Sequence, residues 1–197
     1  MSTVQQIADD VRRFLDLCHR PVGIRILEGP RQTEPSMAPL RFCILEREDL
    51  SSGARTFGFG HIECPGASLA LGLVEPQYLD VQPRIRASVS RVEVGPVEGA
   101  DQVVFTVTPR QAMVLAVLTG RINAHCTGTH GVCGEVIARV YETGSPHLSL
   151  LCPGMRHFCD FREEELVVGM SRDALLTLPD AMTRHASLEA GAAQARR

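Results

Sequence analysis

The chain has 197 residues, 44% of them hydrophobic, and a net charge of -3, which suits one compact domain with a proper core and hardly more than one. The arginines form no basic run, so the electrostatic footprint of a nucleic-acid-binding protein is missing. All 20 basic residues counted as Lys and Arg are Arg, and Trp is absent, which excludes Schiff-base and P-loop lysine chemistry and leaves few platforms for stacking bases.

In chain order, Val4, Ile7, Val11 and Leu15 recur at helical spacing and predict a first helix over about 3–18. Val22, Ile24 and Ile26 alternate as in a strand. A Pro-rich loop and a short helix around 37–49 follow, then a strand-like stretch, TFGFGHIE, that runs into Cys64. Pro65 fits the first turn of the next helix. Residues 76–96 read as loop and strand, and VVFTVTP (103–109) as a buried strand. PRQAMVLAVLTGR reads as a helix with Pro at its first position, stopped by Gly120, with Met113, Val114, Val117 and Leu118 as its packing face. CGEVIARVYETG is helical up to Gly144, HLSLLCP is a strand delivering Cys152, and PGMRHFCDF opens a short helix. A last strand and a helix from about Ser171, broken near Pro179, complete the chain, with 188–197 expected to fray. The pattern predicts a single α/β (or α+β) domain with one mixed sheet flanked by helices, its core over about 20–180.

No apolar run approaches the roughly 20 residues that span a membrane, and the first helix carries charges inside its apolar pattern, so the expectation is a cytoplasmic protein with no membrane partner. Seven cysteines without a secretory segment argue against a disulfide framework and for reduced thiols or metal ligands. Cys18, at the end of the first helix, reads as a small buried hydrophobe. Cys64, Cys133 and Cys152 share a different context: each stands where a loop or strand meets a Pro- or Gly-containing turn into a helix (CPGA, CGEV, CPGM). Unpaired backbone N–H groups at such starts favour an anionic thiolate or a metal-bound sulfur.

Other candidates surround them. Glu135, in the first turn after Cys133, is either a carboxylate that suits the helix start or a general base. Arg156 is either a surface cation or a planar clamp for a substrate carboxylate. Gln111 is a cap partner or a polar contact in a pocket. The loop HCTGTHG holds His125 and His130, of which His130 is a second candidate for proton transfer. Zinc is the rival metal, through Cys126, His130 and Cys133 with Cys152 or Cys159 as the fourth ligand, although the paired C-x2-C knuckles of structural zinc sites are absent.

RFC (41–43), ECPGASLALGL (63–73), PRQAM (109–113), VCGEV (132–136) and CPGMRHF (152–158) followed by EEELVVGMS together resemble domain of unknown function 169, over about 20–180. The resemblance implies a set of recurrent positions and no reaction: Cys43, Cys64, Gly66, Gln111, Cys133, Glu135, Cys152, Gly154 and Arg156. Met155 departs from the small residue that the family carries around the Cys152 motif.

Three separated soft thiolates suit a [4Fe-4S] cluster with one open iron, and a fourth ligand such as Cys43 would saturate it. The expectation is therefore an iron–sulfur enzyme. Cys64, Cys133 and Cys152 hold the cluster, Arg156 and Gln111 bind a small polar or anionic metabolite, and Glu135 or His130 moves a proton in an elimination, hydration or related rearrangement. The alternatives are an electron carrier or redox sensor, and a zinc-binding or metal-free ligand-binding domain; a homo-oligomer is compatible with each.

Overall fold

The computed structural model describes residues 3–31, 54–60, 64–74, 85, 88–124, 132–158 and 161–195. The helix expected around Cys43, the loop holding His125, Cys126 and His130, and Cys159 lie outside them. The strands are β1 (Val22–Glu28), β2 (Arg55–Gly58), β3 (Val89–Gly95), β4 (Gln102–Val107), β5 (Asn123–Ala124), β6 (His147–Leu150) and β7 (Leu166–Ser171). The helices are α1 (Val4–Leu15), α2 (Pro65–Ala70), α3 (Pro109–Thr119), α4 (Val132–Thr143), α5 (Pro153–Phe158), α6 (Arg172–Leu176) and α7 (Leu178–Ala195).

The strands form one mixed sheet in the order β2-β3-β1-β4-β7-β6-β5. Every neighbouring pair is antiparallel except β5 with β6. Helices α2, α4 and α5 share one core with one face of the sheet, in which Val22, Ile24, Val94, Val104 and Val167 meet Leu71, Ile137 and Met155. Helices α1, α3, α6 and α7 share a second core on the other face, around Phe105, Val103 and Met170. All six residues of β4 are buried, because this central strand is covered on both faces and so shows no alternation of apolar and exposed positions.

Local chemistry explains the helix limits. Thr3 caps α1, its hydroxyl accepting from Gln6 N–H, and Asp16 ends it in the left-handed region. At α3 the Thr108 hydroxyl accepts from the Gln111 N–H while the Gln111 side chain accepts from the Thr108 N–H, a reciprocal capping box, and Gly120 closes the helix with φ 75°. The last helical segment is interrupted at Thr177, two residues before Pro179. It then continues to Ala195, so the residues expected to fray are helical almost to the end.

The packing face of α3 differs from the sequence expectation. Of the four expected residues Leu118 is buried and Val114 packs against the core, but Met113 and Val117 are 65% and 63% exposed, and Ala112 and Leu115 are buried in their place. With apolar residues all round the helix, composition could not select the face; contact with β4, β7 and α7 selects it. Cys18 also departs from expectation: α1 ends before it, and it is exposed.

Leu115→Ala should lower stability by about 2–5 kcal/mol by opening a cavity, whereas Val117→Ala should change it by no more than about 0.5 kcal/mol; urea titration of the two variants measures the contrast. A second expectation concerns Tyr141, whose hydroxyl donates to Glu28. Burial, then the hydrogen bond and charge of Glu28, push its pKa up to about 12. Folding thus favours the neutral phenol, so the contribution is fully present below about pH 10, the ordinary tyrosine value, and is lost as the pH rises through about 12. Urea midpoints of the wild type should fall across that window more steeply than those of Tyr141→Phe.

Candidate functional site

The site is built around α4, which is buried along one side of its length and all round its first half: Cys133 to Ala138 are buried without interruption. Two glycines allow this. A Cβ on Gly134 would lie 2.5 Å from Ala67 Cα, and one on Gly169 would lie 2.7 Å from Val136 Cγ1. Helix α4 therefore lies backbone to backbone against α2 on one side and close upon β7 on the other.

The first of these contacts brings two of the cysteine motifs together. Gly134 follows Cys133, and Ala67 lies one turn into the helix that Cys64 caps. A Cα–Cα separation of about 4 Å at the crossing, one peptide step and one helical turn together keep the Cα atoms of Cys64 and Cys133 within about 13 Å. Cys152 arrives by a different route. The 12-residue α4 is about 18 Å long, and the chain reverses after it, with the Thr143 hydroxyl 2.8 Å from His147 Nε2. Strand β6, His147–Leu150, then runs back about 10 Å along the sheet, and Cys152 follows two residues beyond it. Cys152 is thereby returned to the end of the layer at which α4 begins. Cys133 belongs to the core on this face, and Cys64 and Cys152 pack against it, half-buried.

The three sulfurs meet different surroundings. Cys152 precedes α5, and its Sγ accepts the Met155 N–H at 3.4 Å; it acts where a Ser or Asp cap normally would, with the amide favouring negative charge on sulfur. Cys64 is the N-cap of α2 but makes no side-chain capping bond. The strand expected to run into it stops at Gly58. Cys133 is the second residue of α4 and is fully buried. Among the described residues, no three His, Cys, Asp or Glu side chains are grouped closely enough to hold a metal ion.

Glu135 lies on the same helix, with its side chain only 2% exposed, and its carboxylate accepts from Arg139 Nε at 3.1 Å. Arg139 also reaches Glu142 at 3.6 Å, so the buried carboxylate has a fixed counter-charge one turn along. Arg156, on α5, is half-buried; its Nη1 donates to Glu163, and a cleft of about 530 Å³ is lined by Leu151, Pro153, Arg156 and Glu163. Cys133, Glu135, Cys152 and Arg156 thus share one face of the sheet with Cys64. Gln111 does not. Its amide donates to the carbonyls of Leu15 and Asp16, tying the start of α3 to the end of α1 in the layer on the opposite face. Of the two roles expected for Gln111 the structure shows the cap: its amide oxygen accepts the Thr108 N–H within the capping box and its nitrogen joins α3 to α1.

Sequence reasoning passed over Glu163 and Glu165. The Glu165 carboxylate is buried; one oxygen lies 2.5 Å from His19 Nε2 and the other accepts the Arg162 N–H. This pair anchors the turn that carries Glu163. In sequence, EEEL offers only three neighbouring carboxylates, and nothing there separates the buried one from the exposed ones.

The sequence model of the domain of unknown function 169 family, described as uncharacterised ArCR, matches residues 81–179. The chain belongs to this family. The matched segment includes Gln111, Cys133, Glu135, Cys152, Gly154 and Arg156, whereas Cys43, Cys64 and Gly66 precede it. The uncharacterized protein MJ0308 of Methanocaldococcus jannaschii is 26% identical over 113 residues, covering 53% of this chain and 48% of that protein. The chain therefore spans about half the length of the curated relative it matches. No solved structure matches the chain. Among the described residues, no helix is long and apolar enough to cross a membrane.

Gly134→Ala tests the contact on which this end of the fold relies. The added methyl meets backbone rather than a movable side-chain tip, so the substitution should cost about 1–3 kcal/mol through overpacking, measured by urea denaturation. It should also speed the reaction of Cys64 with a thiol reagent, since α2 must move off α4 to admit the methyl.

Proposed function

We propose that this member of the family binds an iron–sulfur cluster of the [4Fe-4S] type through Cys64, Cys133 and Cys152, and acts as an enzyme on a small anionic metabolite. The observation that carries the reading is the return of three cysteine-headed helix starts to one end of one layer, although they stand far apart in sequence. Soft thiolates suit iron–sulfur chemistry, and three is the number that leaves one iron of such a cluster open. When bound, the cluster would supply a Lewis-acidic iron. The amide that Met155 donates to Cys152 Sγ favours the anionic sulfur that a ligand must be.

The chain's own groups divide the remaining work. Arg156 binds and orients a negative group of the substrate from the cleft beside Cys152. Glu135 holds or moves a proton beside Cys133, its carboxylate oriented by Arg139. His130 is the second proton carrier. The reaction class that suits a carboxylate base with a Lewis-acidic partner is elimination or hydration.

Iron and sulfide analysis after anaerobic purification, with an electron paramagnetic resonance spectrum of the reduced protein, tests the proposal. Cys64→Ser, Cys133→Ser and Cys152→Ser should each remove most of the iron, and Cys18→Ala should leave it unchanged. Zinc in place of iron would move the site to the tetrahedral alternative, and full iron content in all three serine variants would refute the assignment.

A further inference from the structure

The Arg156 cleft has a feature that the proposed reaction does not require. The Arg156 side chain is 25% exposed, whereas that of Glu163, whose carboxylate is paired with it, is 83% exposed. Arg156 Nε is also buried and meets no hydrogen-bond partner among the described residues. A buried guanidinium edge without a partner costs free energy. An exposed carboxylate gains little from such a pair, because solvent screens the attraction and side-chain entropy opposes it. The cation is fixed and its partner is readily exchanged.

The turn bearing Glu163 is built to match. Its base is held from inside by Glu165, which bonds to His19 and to the Arg162 N–H, and the turn closes with the Glu165 N–H donating to the Arg162 carbonyl. The Glu163 side chain reaches from this anchored base to Arg156, and the two line a cleft of about 530 Å³ whose other described walls, Leu151 and Pro153, are apolar.

We propose that the cleft is a carboxylate-binding site and that Glu163 is its internal occupant, a competing carboxylate that an incoming ligand displaces from Arg156. The ligand class is a small carboxylate with a compact apolar portion: its carboxylate takes the place of the Glu163 group, and its body lies against Leu151 and Pro153. This deepens the proposed role of Arg156 and rests on that role, but it requires no metal.

Isothermal calorimetry with malonate tests it on the full chain, with iron content measured on the same samples so that loss of the cluster and loss of this site are read separately. Malonate should bind the wild type. Glu163→Gln removes the competing charge at an exposed position where folding is unaffected, and should tighten binding by about two- to fivefold, the scale of an exposed ion pair. Arg156→Lys keeps the charge and loses the planar fork, and should weaken binding at least tenfold while the far-ultraviolet circular dichroism stays that of the wild type. Val117→Ala, at an exposed position of α3, should leave malonate affinity within about twofold of the wild type. Binding that Glu163→Gln leaves unchanged, or no malonate binding by either protein, would overturn the inference. Tighter binding of inorganic phosphate than of malonate would overturn the ligand class.

Discussion

The close crossing of α4 over α2 at Gly134 is the contact from which the candidate site follows. Interhelical packing ordinarily keeps axes 8–10 Å apart, as side chains fill the gap. Here a missing Cβ at Gly134 and the small Ala67 let the backbones touch, with the would-be Cβ 2.5 Å from Ala67 Cα. On the other side of the same helix, Gly169 admits Val136 and Val140 to β7. Helix α4 is thereby held between sheet and helix, which accounts for six successive buried residues at its start and leaves little freedom in where Cys133 sits. A helix pinned on two sides makes a fixed reference for whatever arrives from α2 and from β6.

That fixity bears on chemistry through both neighbours. Helix α2 carries Cys64 at its cap, and the antiparallel return through β6 carries Cys152 to the same end of the layer. Both helices that begin with these cysteines are only six residues long, so their starts depend on the packing of Ala67, Leu71 and Met155 rather than on helix propensity. The proposed cluster would thus be held by short elements that lean on one rigid one. Glu135 follows the same logic: its carboxylate is buried because α4 is buried, and Arg139 lies one turn away to balance it.

The turn between α5 and β7 shows how one segment can be firm and exchangeable at once. Glu165 is enclosed and hydrogen-bonded at both oxygens, so the base of the turn is tied to α1 through His19 and to its own backbone through Arg162. Glu163, two residues earlier, faces water and, among the described residues, is tied to Arg156 alone. Burial sets the difference: the enclosed carboxylate cannot leave its partners without stranding a charge, while the exposed one exchanges partner for solvent at little cost.

Sequence alone determined the features that depend on neighbours along the chain. The strand of β4 was legible because β-branched residues and Phe105 ran up to Pro109, and the limits of α3 because Pro109, Thr108 and Gly120 each have one good place at a helix end. The shared context of Cys64, Cys133 and Cys152 was legible for the same reason, since a turn into a helix is a local event. What only the tertiary structure decided depends on residues distant in sequence. The buried face of α3 is set by β4, β7 and α7, and an apolar pattern all round the helix pointed to Val114 and Leu118 but not to Ala112 and Leu115. Gln111 looked equally suited to a cap and to a pocket until α1 was seen to lie against it, on the far face of the sheet from the cysteines. Glu163 and Glu165 have the same chemistry and nearly the same position in the chain, yet one is enclosed beside His19 and the other stands in solvent, because burial is a property of the assembled layers and not of the residues that enter them.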